Sequence, residues 1–153
     1  MANGADARLQ ELGVELPPIS RAVGTYVGAK RAGNLLFVSG HGPVSAAGVV
    51  RGKVGATVSP AEGHEAARLT ALSMLATVRE ELGSLDRVRQ VVKVFGMVNC
   101  APGFNGTPGV IDGCSDLLVA VFGDAGRHAR SAVGMAELPF DIAVEIEMIL
   151  EVD

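Results

Sequence analysis

The alternation of apolar and polar positions is cleanest at the end of the chain. From Val144 to Val152, Val144, Ile146, Met148, Leu150 and Val152 share one face of an extended strand, and Glu145, Glu147 and Glu151 share the other. The β-branched run from Val88 to Val98 predicts another strand, buried on both faces at its centre. Ser131 to Leu138 predicts a third, joined to the last by Pro139-Phe140-Asp141-Ile142. Near the start, the β-prone runs Tyr26 to Arg31 and Asn34 to Gly40 flank a Gly-Asn pair and predict a hairpin. The Gly- and Val-rich stretch from His41 to Val58 reads as loops with a short strand near Val49 to Lys53.

Two segments change period. Leu69, Leu72, Leu75, Ala76 and Leu82 recur at helical spacing, while Arg68, Arg79 and Glu80 keep the opposite face polar. Ser59 suits the cap of this helix, Pro60 its first position and Glu62 the reciprocal place three residues on, and Gly83 stops it. After the Pro- and Gly-rich loop from Ala101 to Pro108, Gly109 to Phe122 predicts a second helix with Leu117, Leu118 and Val121 inward. Asp6 to Leu12 has weak helical character within a leader over residues 1–20, ahead of one domain over 21–153.

The order β-β-(β)-α-β-α-β-β predicts an α+β two-layer sandwich, a mixed sheet with two helices on one face. The second face of that sheet has no covering element left in the chain, so oligomerisation is expected.

Composition narrows the function classes. Of 153 residues 48% are hydrophobic but only 4% aromatic, with no Trp, so the core is aliphatic. The net charge is -4, and no basic run is interleaved with aromatic residues, so no nucleic-acid partner is expected. Cys100 and Cys114 follow no metal-ligand spacing and read as free thiols of a reducing compartment. His41, His64 and His128 lie on different elements and predict no metal site; His64 and His128 are expected at the surface. The first residues show no basic start followed by an apolar run, and no apolar stretch approaches the ~20 residues of a membrane span. A cytoplasmic location without membrane contact is the expectation.

Four blocks carry a resemblance: Leu35-Leu36-Phe37-Val38-Ser39-Gly40, Ala129-Arg130-Ser131-Ala132-Val133-Gly134, Leu138-Pro139 and Val144-Glu145-Ile146-Glu147. In order and spacing they resemble the Rid/YjgF-like (reactive intermediate deaminase) family, also called L-PSP endoribonuclease-like, which has a chorismate mutase-like fold. The resemblance spans Tyr26 to Val152 and implies a homotrimer with a cleft at each subunit interface. It implies hydrolysis of an enamine or imine to a carbonyl compound and ammonia, with no cofactor.

The resemblance also assigns roles. Arg130 would grip a substrate carboxylate with two parallel hydrogen bonds, a geometry Lys cannot imitate, helped by the backbone N–H of Ala132. Glu145 would orient water, and beside Arg130 it is expected to stay ionised at neutral pH. Tyr26 would close the cleft over a substrate from the neighbouring subunit, and Ser39 and Gly40 would face it. Cys114 would serve packing. Asp112 departs from the Asn that many members carry near this position, placing a negative charge beside a site meant for anions. Two rival readings follow: a trimer that binds or senses a small 2-oxo acid without turnover, and an endoribonuclease, which the acidic balance disfavours. Chorismate mutase activity is suggested by fold alone.

Overall fold

The computed structural model describes residues 4–153. Five strands form one mixed sheet: β1 (Ala29–Ala32), β2 (Leu35–His41), β5 (Val88–Asn99), β6 (Ala129–Met135) and β7 (Val144–Val152). β3 (Val44–Ser45) and β4 (Gly48–Val49) make a separate two-stranded ribbon. The helices are α1 (Ala5–Glu11), α2 (Pro60–Leu82) and α3 (Thr107–Phe122). The sheet order is β1-β2-β7-β5-β6, antiparallel except for the parallel β5–β6 pair. That parallel pair is the crossover α3 spans, so β6 lies at an edge with its connecting helix packed above it.

The α+β sandwich is therefore as the periodicities predict. α2 packs across β2 and β7, α3 across β5 and β6, and the helices pack on each other. Gly113 permits that last contact. A Cβ there would run into the backbone carbonyl of His64 on α2, so only glycine lets the helices come this close. On β7, Val144, Ile146, Met148, Leu150 and Val152 are all buried and the glutamates are not. Each such aliphatic side chain contributes about 1.5–3 kcal/mol on full burial.

Local signals hold where they are strongest. Ser59 accepts from the Glu62 N–H at 3.1 Å, and the Glu62 carboxylate accepts from the Ser59 N–H at 2.7 Å. Gly83 closes α2 in the left-handed conformation, with φ 82°. Elsewhere the bounds shift. α3 starts two residues early because Pro108 suits the first turn. The strand foreseen near Val49 to Lys53 is the β3–β4 ribbon followed by a bridge from Arg51 to Ile142. β5 is buried on the helix side alone: Val91, Val94 and Val98 are covered, whereas Phe95 and Met97 face the open side half-buried. α1 brings Ala5 and Leu9 into the core, against α3 and the turn at Leu85–Arg87. Among the described residues no helix is long and apolar enough to cross a membrane, and no three His, Cys, Asp or Glu gather as a metal site.

Candidate functional site

The end of β2 builds the first half of the site. Between Val38 and His41 the pairing with β7 slips, so the strand bulges there. His41 props the bulge from behind. Its Nδ1–H donates to the Ser39 carbonyl at 2.6 Å, which leaves Nε2 to accept from the Thr77 hydroxyl on α2 at 2.8 Å. Burial holds this imidazole below its ordinary pKa, with the Ser39 carbonyl opposing the shift. The Ser39 hydroxyl donates to the Val27 carbonyl at 2.6 Å. The bulge thus lies fixed between the loop before β1 and the core.

Gly40 sits where Glu145 crosses. A Cβ on Gly40 would overlap the Glu145 carboxylate, so the missing side chain is the space the carboxylate occupies. Tyr26, Ser39, Gly40 and Glu145 line one cleft of about 440 Å³, with the 139–142 turn on another side. Glu145 carries no hydrogen bond or ion pair among the described residues. Burial, and then the neighbouring charge of Glu147, push its pKa up. Within one chain Arg130 is elsewhere, so burial and Glu147 rather than an opposing guanidinium set the direction of this shift.

Arg130 pairs in register with Val94, whereas Glu145 pairs with Met97 three residues further along β5. Two strand spacings and three residues separate them by about 10 Å in each direction. They also stand on opposite faces of the sheet. Arg130 reaches up to α3, where Nη1 donates to Asp112 Oδ1 at 2.8 Å and to Ser115 Oγ at 3.0 Å. Nη2 lies 3.5 Å from the Pro108 carbonyl. The Ser115 hydroxyl passes its proton toward His128 Nε2 at 2.9 Å, and His128 Nδ1–H donates to the Gly126 carbonyl at 2.6 Å. His128 is thus half-buried, contrary to the surface position expected. Burial lowers its pKa, the Gly126 carbonyl opposes this, and the charge of Arg130 adds to the lowering.

The predicted residues therefore fall into two groups. Tyr26, Ser39, Gly40 and Glu145 line the same cleft within one chain. Arg130, Ala132 and Asp112 lie together by the edge strand, the Ala132 carbonyl accepting from the Thr107 hydroxyl at 3.0 Å. Asp112 is no bystander charge, since it is the ion-pair partner of Arg130. Cys114 is fully buried beneath this group, its thiol pushed up to about 12 by burial, and is packing. Sequence reasoning passed over Arg21, Arg51, Phe140 and Ile142, which complete the cleft. No local pattern marks them, because the 51–52 and 139–142 segments meet only in the fold.

Residues 6–151 match the YjgF/chorismate mutase-like family of candidate endoribonucleases. Protein TCP17 of Trypanosoma cruzi is 42% identical over 149 residues, 96% of this chain and 93% of that protein. The solved structure of an Agrobacterium tumefaciens protein of unknown function is 44% identical with a TM-score of 0.90, covering 97% of this chain and 92% of that one. A candidate endoribonuclease from Shewanella oneidensis is 31% identical with a TM-score of 0.94, covering 98% and 100%. Spanning nearly the whole chain and both groups of site residues, these matches make the protein a member of the YjgF/chorismate mutase-like family.

Proposed function

We propose that the protein hydrolyses 2-imino or 2-enamino acids to 2-oxo acids and ammonia, in clefts between the subunits of a homotrimer. The observation that carries this reading is the half-buried, unpaired Glu145 carboxylate, seated over Gly40 with its pKa raised. A carboxylate in that state sits closer to neutrality than a solvated one and can trade protons with water. In the reaction Glu145 takes a proton from water as its oxygen bonds to the imine carbon. With the imine nitrogen protonated at the outset, Glu145 returns that proton to the nitrogen of the carbinolamine, and the C–N bond breaks to release ammonia. The hydroxyl gives its own proton to Glu145 as the C=O bond forms. Imines are reactive already, so holding water and substrate in place supplies most of the acceleration. Arg130 lies on an edge strand, on the far face from its own chain's cleft, which supports a reading in which it serves a neighbour's cleft instead. It would hold the substrate carboxylate there, beside the Ala132 backbone. The test is ammonia release from 2-iminopropionate generated in situ. A rate no higher than the uncatalysed one rejects this reading for that substrate.

One observation favours a second reading, a trimer that binds a small 2-oxo acid without turnover. Arg130 is already neutralised by Asp112 at 2.8 Å, which weakens its pull on a substrate anion. Thermal stabilisation by 2-oxobutyrate without ammonia release from the corresponding imine would select it. The family description as endoribonucleases finds no support in a chain of net charge -4.

A further inference from the structure

We infer that the Glu145 cleft contains a second anion-binding subsite, at Arg51, and that its ligand is a dicarboxylic 2-imino or 2-oxo acid rather than a monocarboxylic one. This deepens the function proposed above and rests on the Glu145 cleft being the ligand site.

Arg51 and Arg21 both line the cleft, against the single carboxylate of Glu145. Neither arginine has an ion-pair partner among the described residues. Arg51 is the better placed. Its Nε–H donates to the Phe140 carbonyl at 3.1 Å, which fixes the guanidinium at the rim and leaves its two terminal nitrogens uncommitted. Those two nitrogens are the fork that binds a carboxylate bidentately.

The anchor of Arg51 is itself unusual. Phe140 and Asp141 are consecutive non-glycine residues in the left-handed region, with φ 56° and 59°. Such a conformation persists only where the surroundings over-determine it, and ligand clamps are among the places it occurs. Here the surroundings do so. Buried Asn99 donates to the Asp141 carboxylate at 3.0 Å and to the Ile142 carbonyl at 3.2 Å, while Lys53 donates to Asn99 at 2.8 Å. The Gly52 N–H donates to the Asp141 carbonyl at 2.8 Å. The backbone on either side of Arg51 is therefore hydrogen-bonded to the turn that holds its Nε.

The charges then choose the ligand. Two cations against one carboxylate leave the cleft of a single chain positive, while a neighbour's Arg130 arrives paired with Asp112. A substrate whose 2-carboxylate goes to Arg130 leaves Arg51 unpaired at the rim. A second carboxylate on the side chain would pair with it, while Val49 and Ile142 flank the methylenes between.

The experiment is calorimetric binding of 2-oxoglutarate and 2-oxobutyrate, which requires no turnover. The parent is expected to prefer 2-oxoglutarate by at least about tenfold, one well-made charged contact. R51Q should remove that preference while changing 2-oxobutyrate affinity less than about twofold, and R51K should restore part of it. Thermal melts of both variants confirm folding, as Arg51 is exposed. No preference in the parent, no measurable binding of either acid, an equal loss of both acids in R51Q, or an unchanged preference in R51Q each overturns the inference. Should the dicarboxylate preference depend on Arg51 while no imine is hydrolysed, the subsite stands and the deaminase reading alone falls.

Discussion

Arg130 and Asp112, 18 residues apart in sequence, form an ion pair of 2.8 Å across the joint between the edge strand β6 and helix α3. The Arg130 side chain is 22% exposed and that of Asp112 51%. The guanidinium is thus held in one orientation, with a solvated competitor for any anion that approaches it. Ser115 and the Pro108 carbonyl share the remaining contacts, so the arginine is positioned by one face of α3 and released only at the expense of those contacts.

D112N tests this competition. Asparagine keeps the shape and an acceptor oxygen but removes the opposing charge. Since half of Asp112 lies in water, the stability lost is about 1 kcal/mol or less. The same charge no longer competes for Arg130, so the affinity for 2-oxobutyrate should rise by up to about fivefold. Weaker binding in D112N would mean that Asp112 orients Arg130 more than it competes.

A contrast between Arg130 and Arg127 separates geometry from charge. Arg127 is 75% exposed, facing Asp124 at 3.6 Å. R127K should change binding and stability by about 0.5 kcal/mol or less, as at most surface positions. R130K keeps the charge but loses the fork, and carboxylate binding should weaken by about 1.5–3 kcal/mol. Calorimetry on both variants decides; equal losses would point to a general electrostatic attraction.

What the sequence made legible was what is local. The alternation along β7 and the Ser59–Glu62 cap depend on residues within one element, and both form as read. The fold class followed from element order. The partner of Arg130 was hidden, because Asp112 reaches it only through the β5–α3–β6 crossover. His41 was hidden likewise, its support coming from Thr77, 36 residues away on α2. The single-sided burial of β5 could not be read from its apolar run, since such a run is the same whether a second layer comes from the chain or from another subunit.

Glu145 gives a pH signature in stability. Its pKa is raised above the ordinary 4.5, by burial first and by Glu147 second. The folded protein therefore holds this proton more tightly than the unfolded chain does. The resulting stabilisation is complete below pH 4.5 and is lost as pH rises through the higher folded value. E145Q, neutral throughout, should melt at the same temperature as the parent at acidic pH and above it at neutral pH. Melting curves across that range that run parallel would show that the carboxylate is not desolvated in the fold.

Assembly is the condition on which the proposed shared cleft depends. The open sheet face presents Phe37, 43% exposed, beside Ile149 of β7, with Phe95 one strand further on. Light scattering at micromolar concentration is expected to give three times the chain mass. F37D, placing a charge on that face, should shift it to a monomer that retains the far-UV circular dichroism of the parent. A parent that scatters as a monomer would remove Arg130 from any Glu145 cleft.

The tightest geometric claim concerns Gly40 and Glu145. Gly40 is not in the left-handed region, so alanine there meets no backbone strain, and the conflict is with the Glu145 carboxylate alone. That carboxylate ends a flexible side chain and can swing aside, so G40A should cost about 1 kcal/mol of stability or less. Function should respond far more, because the displaced group is the one proposed to hold water. Turnover of 2-iminopropionate is expected to fall by about 10²-fold, as for a misplaced catalytic group. E145A should fall as far, and G40A added to E145A should change nothing further, since the two substitutions remove the same thing. Losses that instead multiply in the double variant would show Gly40 acting on the cleft through another contact. The Ser39 segment, held by Val27 and His41, is the contact to examine in that case.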